Sequence, residues 1–282
     1  MSISLIDPLE KIPLAFVDTE TTGASPEYGH RIIEIGIVRV VGGEVVAEYQ
    51  QLIDPQRRIS PAITALTGID PSMTNGQPTF HQQLPAMLEL LRGAVLVGHN
   101  TLFDIGFLRG EFYRCRQTLE EALGPTHLLD TLRLARRRFG RSGNGLQALA
   151  QRLAIKSTQA HRALADAHTT RHLLQILLEP MGGWRCCLCD VLAAQGGTIS
   201  LARSPTTMML PWEIQEAIES RSVVTLEYLD ASDQRTRRAI RPLHVKKQGD
   251  ELLLVAFCEL RQAQRTFKLD RIIQLAPDLG PG

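Results

Sequence analysis

The chain has 282 residues, 44% of them hydrophobic and 22% charged, with 31 Lys and Arg against 30 Asp and Glu. That profile excludes a fibrous or disordered protein and leaves room for one large domain or two. A formal charge of +1 does not mark a nucleic-acid partner and does not exclude one, because acidic metal ligands gathered at a site offset local basic patches.

No stretch approaches the roughly 18 uninterrupted apolar residues of a membrane span. The opening "MSISLIDPLEKIPL" carries acids and no apolar signal core. Cys115, Cys186, Cys187, Cys189 and Cys258 are an odd, unevenly placed set unsuited to a disulfide framework. The expectation is a cytoplasmic protein with no membrane partner.

In chain order, apolar Leu14 to Val17 predicts a buried strand, and "RIIEIGIVRVVGGEVVAEYQQLI" predicts a hairpin turning at Gly42 and Gly43. "SPAITALTGI" predicts a helix with Ser60 as N-cap, Pro61 at its first position and Gly68 at its end. A longer helix is expected over Phe80 to Leu91. "AVLVGHN" reads as a buried strand, "DIGFLRGEFYRC" as a helix and "HLLDTLRLARRRF" as a short strand running into a basic helix. Leu146 to Leu153 and Arg162 to Leu178 complete a helical second half. Strands first, then alternating strands and helices, imply a mixed sheet with helices packed on it.

The pattern breaks after "LLEPMGGW". Residues 183–207 hold glycines, a cysteine cluster and no sustained periodicity, and are expected to be a linker between a first domain (1–182) and a second (208–282). The second is expected to be a small α+β unit: a helix "PWEIQEAIESR", then β-patterned "VVTLEYLD", "RRAIRPLHVKK", "ELLLVAFCEL" and a last apolar "RIIQLA".

Three acidic clusters stand out. In "FVDTETTG", Asp18 and Glu20 lie two apart and project from one strand face. Buried carboxylates repel unless something positive sits between them; alternatively both lie in water at a strand end. In "VGHNTLFDIGFL", Asp104 follows a strand at the head of a helix, where the helix dipole alone also favours an acid. "AHRALADAHTTRHLL" supplies His161 and Asp166, the latter flanked by alanines or else simply solvated.

Together, "FVDTETTG", "VGHNTLFDIGFL" and "HRALADA" resemble, in order, the three exonuclease motifs of the DEDD superfamily, which includes the proofreading epsilon subunit of bacterial DNA polymerase III. His161 precedes Asp166 by five residues, about 140° on a helix, so the histidine is expected in the loop before the helix. Arg162 stands where the sister subclass has tyrosine, so the resemblance is to the histidine, or DEDDh, type.

That resemblance implies an RNase H-like mixed α/β sheet flanked by helices and a metal-dependent 3′–5′ exonuclease acting on nucleic acid with a free 3′ end, most of all single-stranded DNA. It implies two Mg²⁺ or Mn²⁺ ions held by Asp18, Glu20, Asp104 and Asp166, with His161 as the base; hard oxygen donors suit those ions. Thr21 and Thr22 would offer donors to the 3′-terminal nucleotide. Leu66 and Thr67 stand where the family often has a hydrophobic residue and histidine against the terminal base, so the histidine contact is absent. Glu34 either pairs structurally or touches substrate. The competing readings are a non-catalytic nucleic-acid-binding or ligand-sensing regulator, and a proofreading subunit with a polymerase partner.

The remaining histidines and cysteines are weaker signals. His99 is expected to support packing, and His168 and His172 to lie on a solvated or locally bonded helix face. Cys186 and Cys189 form half of a zinc-type pair with no second half, so small buried thiols are the default.

Residues 208–276 resemble a WYL domain through the Tyr-bearing "TLEYLD", "RRAIRPLHV" and "RTFKLDRI", without the eponymous triplet. The resemblance implies an SH3/Sm-type barrel. Its candidate nucleic-acid or ligand contacts are Arg241, Arg261, Arg265 and Arg271 with Tyr228 for stacking, a basic rim being the alternative.

Overall fold

The computed structural model describes residues 3–156, 159–201, 214, 217–218, 221–230, 232, 234–248 and 251–277. A five-stranded mixed sheet organises the first part of the chain. It runs β3-β2-β1-β4-β5, from β1 (Leu14–Thr21), β2 (Ile32–Val41), β3 (Glu44–Leu52), β4 (Val95–Gly98) and β5 (Leu128–Asp130). The hairpin β2–β3 is antiparallel and turns at Gly42 and Gly43 as expected. β1 is antiparallel to β2 and parallel to β4, which is parallel to β5.

The helices follow their sequence signals. α1 (Pro61–Thr67) starts where the Ser60 hydroxyl accepts the Ile63 amide and ends at Gly68 with φ 70°, a left-handed cap that glycine takes without steric cost. After the short α2 (Pro71–Thr74) come α3 (Phe80–Leu91), α4 (Thr101–Arg114), α5 (Leu119–Leu123), α6 (Thr131–Phe139), α7 (Leu146–Arg152), α8 (Ala163–Leu178) and α9 (Leu188–Ala194).

Alternation along β1 sorts the two faces. Leu14 and Phe16 join the core containing α6, α7, α8 and α9 residues, whereas Ala15 and Val17 join the core under α3, α4 and α5. No described helix is long and apolar enough to cross a membrane.

Residues 183–199 differ from the expected linker. The Leu188, Val191 and Leu192 side chains of α9 and the Cys186 thiol are buried in the first core. Leu9 donates to the Cys186 carbonyl at 3.0 Å, and the Gln195 side chain donates to Leu128 and accepts from the Asp130 amide. Seven helical residues between glycines carry too little periodicity to read, yet their apolar side chains close the sheet's open end.

The expected second-domain start at 208 and most of its first helix lie outside the described residues, apart from Ile214 and Ala217, which are buried. Beyond them β6 (Val224–Leu229), β7 (Arg235–Gln248), β8 (Glu251–Cys258), β9 (Ala263–Lys268) and β10 (Ile272–Pro277) form an antiparallel sheet in the order β10-β6-β7-β8-β9. β9, "AQRTFK", was not marked by the apolar pattern because its residues are mostly exposed. Register shifts at Pro242/His244 and Ile272/Gln274 bend the sheet. Among the described strands β9 and β10 are the two ends of this order.

This sheet is seated on the first unit. Ala62 of α1 packs with Leu229 and Ile273, the Ser60 hydroxyl donates to the Asp270 carbonyl at 3.2 Å, and Ala24 joins the second core.

One glycine fixes the other half of the fold. A Cβ on Gly36, which pairs with Asp18 across β1–β2, would lie 2.3 Å from the Ala163 carbonyl carbon and the Leu164 nitrogen. The start of α8 therefore rests directly on β2 backbone. Gly36→Val is expected to cost about 1–3 kcal/mol by overpacking, read as a lowered thermal midpoint; an unchanged midpoint would show that α8 can lift without penalty.

Candidate active site

Five side chains converge where β1 and β4 end, and each arrives by a different local device. Asp18 and Glu20 leave one face of β1, opposite Gly36 and Glu34 of β2. Asp104 comes from the other helix layer, in the first turn of α4, after β4 ends and Asn100 turns the chain with φ 70°. Its Oδ1 accepts both the Thr19 amide (2.9 Å) and the Thr19 hydroxyl (2.8 Å). β1 thus holds Asp104 through the residue between its own two acids.

Asp166 stands in the first turn of α8, with Oδ1 accepting from Gln147 Nε2 at 2.7 Å and Oδ2 from the His161 amide at 3.1 Å. His161 precedes that helix, as the 140° offset required, with φ 58°, a left-handed conformation rare for a side chain with a Cβ. Ligand atoms of Glu20, His161 and Asp166 lie within 4.8 Å of one another.

Glu34, left open by the sequence, is structural. It is 0% exposed and accepts from Arg162 Nε at 3.0 Å and Nη2 at 2.5 Å, from the Ala163 amide at 3.0 Å and from Gln50 at 2.9 Å. Like charges directly across a strand pair destabilise it, and Glu20 faces Glu34. Arg162 offsets that repulsion while tying the start of α8 to β2. Sequence reasoning did not assign Gln147, Arg162 or Thr19 a role; a lone Glu within "RIIEIGIV" was the available signal that a cation must meet it.

The electrostatics of the site are those of an anion cage. Burial, then the charges of Asp104, Asp166, Glu20 and Glu34, hold Asp18 well above the ordinary carboxylate range. Burial first, then neighbouring acids, pushes Glu20 up to about 8. Burial likewise takes Asp104 to about 7 and Asp166 to about 6, against the lowering effect of their hydrogen bonds. Burial lowers His161, so its imidazole is neutral at pH 7 and can accept a proton.

The strongest charges acting on Asp18 are negative. Hard oxygens, one imidazole and no sulfur are a donor set that fits a hard divalent cation. Among the described residues the only such metal-type group is Glu20, His161 and Asp166. Cys186 is buried, and burial pushes its thiol up to about 11. His99 supports packing as expected, with its ring nitrogens 2.9 Å from the Thr131 hydroxyl and 2.8 Å from the Asn144 carbonyl. His168 faces Glu48 at 3.1 Å.

The expected substrate contacts fare differently. Thr21 donates its hydroxyl to the Gly23 carbonyl at 2.8 Å, and the Thr22 hydroxyl accepts the Arg31 amide at 3.0 Å beside His30 Nδ1 at 3.2 Å. Both hydroxyls are committed within the loop. Thr67 is buried and donates to the Ile63 carbonyl at 2.9 Å, whereas Leu66 is half-exposed.

In the second sheet the five candidates do not share a patch. Arg241 and Arg265 occupy adjacent cross-strand rows, with Phe257 and Ala256 respectively, and so leave opposite faces. Arg241 pairs with Glu259 at 3.0 Å, Arg261 is in the β8–β9 turn and Arg271 donates to the Asp230 carbonyl. Tyr228 packs edge-on to Phe267 at 5.3 Å and accepts the Lys268 amide, so its ring is part of the sheet's packing.

Residues 15–174 match the family model described as Exonuclease, and residues 212–277 match the WYL domain model. The chain belongs to this exonuclease family, whose DEDDh-type members use divalent metal ions. It is 41% identical over 184 residues to a putative bifunctional exonuclease/endonuclease protein of Mycobacterium tuberculosis, covering 62% of this chain and 28% of that one. Over 174 residues it is 33% identical to the 3′-5′ exonuclease DinG of Bacillus subtilis, covering 61% and 18%. It thus spans little more than a quarter of the longer relatives at most.

Among solved structures, the nuclease domain of 3′hExo, a DEDDh family member bound to rAMP, superposes with a TM-score of 0.52 at 19% identity, over 63% of this chain and 96% of that one. Exonuclease I gives a TM-score of 0.55 at 15% identity, over 95% and 65%. These likenesses establish the fold.

The raised carboxylates give a signed prediction for protein stripped of divalent ions. A group whose folded pKa lies above its unfolded value of about 4 contributes stability fully present below pH 4 and lost as pH rises through the folded value. Glu20, Asp104 and Asp166 place that loss between about pH 4 and 8. Thermal melts in EDTA are expected to fall between about pH 5.5 and 8.5, and added Mn²⁺ to raise the midpoint more at the higher pH. Asp18→Asn with Glu20→Gln should shrink both effects; equal effects in wild type and variant would show that the cage is not the cause.

Proposed function

We propose that the chain is a 3′–5′ exonuclease that hydrolyses phosphodiester bonds at the 3′ ends of nucleic acid, with single-stranded DNA as the preferred substrate and two Mg²⁺ or Mn²⁺ ions held by Asp18, Glu20, Asp104 and Asp166. The observation that carries this reading is the convergence of Glu20, Asp166 and His161 within 4.8 Å, beside the buried Asp18 and Asp104.

A bound pair of divalent ions supplies activation of the attacking water and stabilisation of the leaving 3′ oxygen. The rest is done by the chain's own residues. Neutral His161 takes a proton from the attacking water, and the bond from its amide to Asp166 (3.1 Å) fixes the loop that presents it. Arg162, held by Glu34, keeps that loop against β2. Thr19 holds Asp104 by two bonds to its Oδ1. Half-exposed Leu66 offers an apolar surface to a terminal base.

The division of the chain belongs to this proposal: a nuclease unit up to about residue 200, and a WYL-like unit from near 208 that binds nucleic acid or a ligand. The commitment to DNA rests on its relatives, which include PolC-type DNA polymerase III of Caldanaerobacter subterraneus, 38% identical over 165 residues. A solved neighbour, Exonuclease I of E. coli, is in complex with a dA16 oligonucleotide.

The test is 3′-end shortening of labelled single-stranded DNA, RNA and mismatched duplex with Mg²⁺ or Mn²⁺. His161→Ala is expected to lower kcat by about 10²–10⁴-fold and Asp18→Ala to abolish turnover. Variants as active as wild type would sink the assignment of these residues, and binding without cleavage under either metal would favour the regulator reading.

A further inference from the structure

A cluster of guanidinium groups lies beside the site, where no sequence motif pointed. Arg31 is held by three bonds: its Nε and Nη2 meet Glu111 at 2.6 and 2.8 Å, and its Nη1 reaches the Pro55 carbonyl at 3.1 Å. Both oxygens of Glu111 meet Arg31, and Oε1 also accepts the Ile32 amide at 3.3 Å. Arg114 follows Glu111 by three residues on α4 and so lies on the same side of the helix. Arg57 follows Pro55 by two and donates to the Gly29 carbonyl. Arg57 and Arg114 are exposed, and among the described residues neither forms an ion pair.

The three are close enough to feel one another. Arg57 is held below the ordinary guanidinium range by burial and by the charges of Arg114 and Arg31, with Asp270 acting in the opposite direction. Asp270 belongs to the second sheet, and its carbonyl takes the Ser60 hydroxyl. The cluster therefore borders the seam between the two units.

It is also chained to the metal-binding motif. Thr22, two residues past Glu20, meets His30, and His30 is adjacent to Gly29, whose carbonyl holds Arg57. Arg114 lies ten residues beyond Asp104 on α4, about 15 Å along the helix axis, so this surface is a few nucleotides away along a strand whose 3′ end reaches the acids. Neighbouring like charges are costly unless an anion comes between them; Asp270 is the acid that acts on Arg57, and the guanidinium donors not taken by the Gly29 carbonyl suit phosphate oxygens.

We propose that Arg57 and Arg114 bind the phosphodiester backbone of the substrate strand on the 5′ side of the terminal nucleotide, at the seam of the two units, and that Asp270 competes with that backbone for Arg57. This rests on the exonuclease reading for the direction of the strand. The second unit, on this view, sets the strength of upstream grip through one acid rather than through the arginines of its own sheet.

The experiment measures binding of a fluorescent single-stranded 20-mer by the full chain in EDTA as a function of salt. Arg57→Gln with Arg114→Gln is expected to weaken binding about tenfold. Losing two phosphate contacts to a single strand should also flatten the log–log salt slope by about 1.4. Arg114→Gln alone, which breaks no bond to a described residue, should show about half of that flattening. Asp270→Asn should bind more tightly than wild type.

Lys156→Glu, on an exposed loop, removes the same net charge as the double variant and serves as the control. A double variant that loses no more affinity than this control, or that keeps the wild-type slope, overturns the proposal. So does displacement of the 20-mer by inorganic phosphate as effective as displacement by unlabelled strand, which would mark a free-anion site. Hydrolysis of the p-nitrophenyl ester of thymidine 5′-monophosphate by wild type with Mn²⁺ reports the metal site without any upstream phosphate, so its failure counts against the exonuclease reading and leaves the binding result standing.

Discussion

Mutual repulsion among carboxylates that the fold buries together is the constraint around which the first unit is organised. Asp18, Glu20, Asp104 and Asp166 come from three elements and two helix layers, and Glu34 adds a fifth charge from β2. Each acid except the β1 pair is held by a donor chosen for position: Thr19 for Asp104, Gln147 and the His161 amide for Asp166, Arg162 for Glu34. These bonds oppose the spreading that repulsion favours. They do not neutralise the β1 pair, and that residual charge is what a divalent ion would meet.

The Glu34–Arg162 pair does more than balance charge. Breaking a buried pair leaves an uncompensated ion, so Arg162 is confined to one place, and the residues on either side of it are confined with it. On one side is His161 in a left-handed conformation; on the other Ala163 begins α8 over Gly36, where a Cβ would collide with backbone. A histidine five residues before Asp166 can share the site only if the chain leaves the helix between them. The salt bridge fixes that departure, which accounts for an arginine where the sister subclass carries the tyrosine itself.

Much of this was legible in the sequence. Period-two spacing put Asp18 and Glu20 on one face, caps such as Ser60 and Gly68 bounded α1 correctly, and the helical offset moved His161 into a loop. What could not be read depended on partners distant in sequence. Glu34 became structural only when Arg162, 128 residues away, was seen to meet it. The Thr21 and Thr22 hydroxyls looked available because the bonds that occupy them close a local loop with no sequence signature. The segment 183–199 read as linker because a seven-residue helix between glycines shows too few turns for periodicity, although Leu188, Val191 and Leu192 complete a core. Arginines grouped by sequence in the second unit separated because adjacent rows of a sheet face opposite ways.

The same reasoning bears on what the second unit is for. A sheet evolved only to bind its own ligand has no need to rest on the catalytic unit's loops, yet Ala24, four residues past Glu20, lies in its core, and Ala62 of α1 packs against its last strand. Both elements border the residues expected to meet the terminal nucleotide. A shift of the sheet therefore cannot leave the β1–β2 loop and α1 undisturbed, since close-packed contacts transmit displacement rather than absorb it. Coupling between the two units then runs through packing at Ala24 and Ala62 and through the bond from the Ser60 hydroxyl to the Asp270 carbonyl.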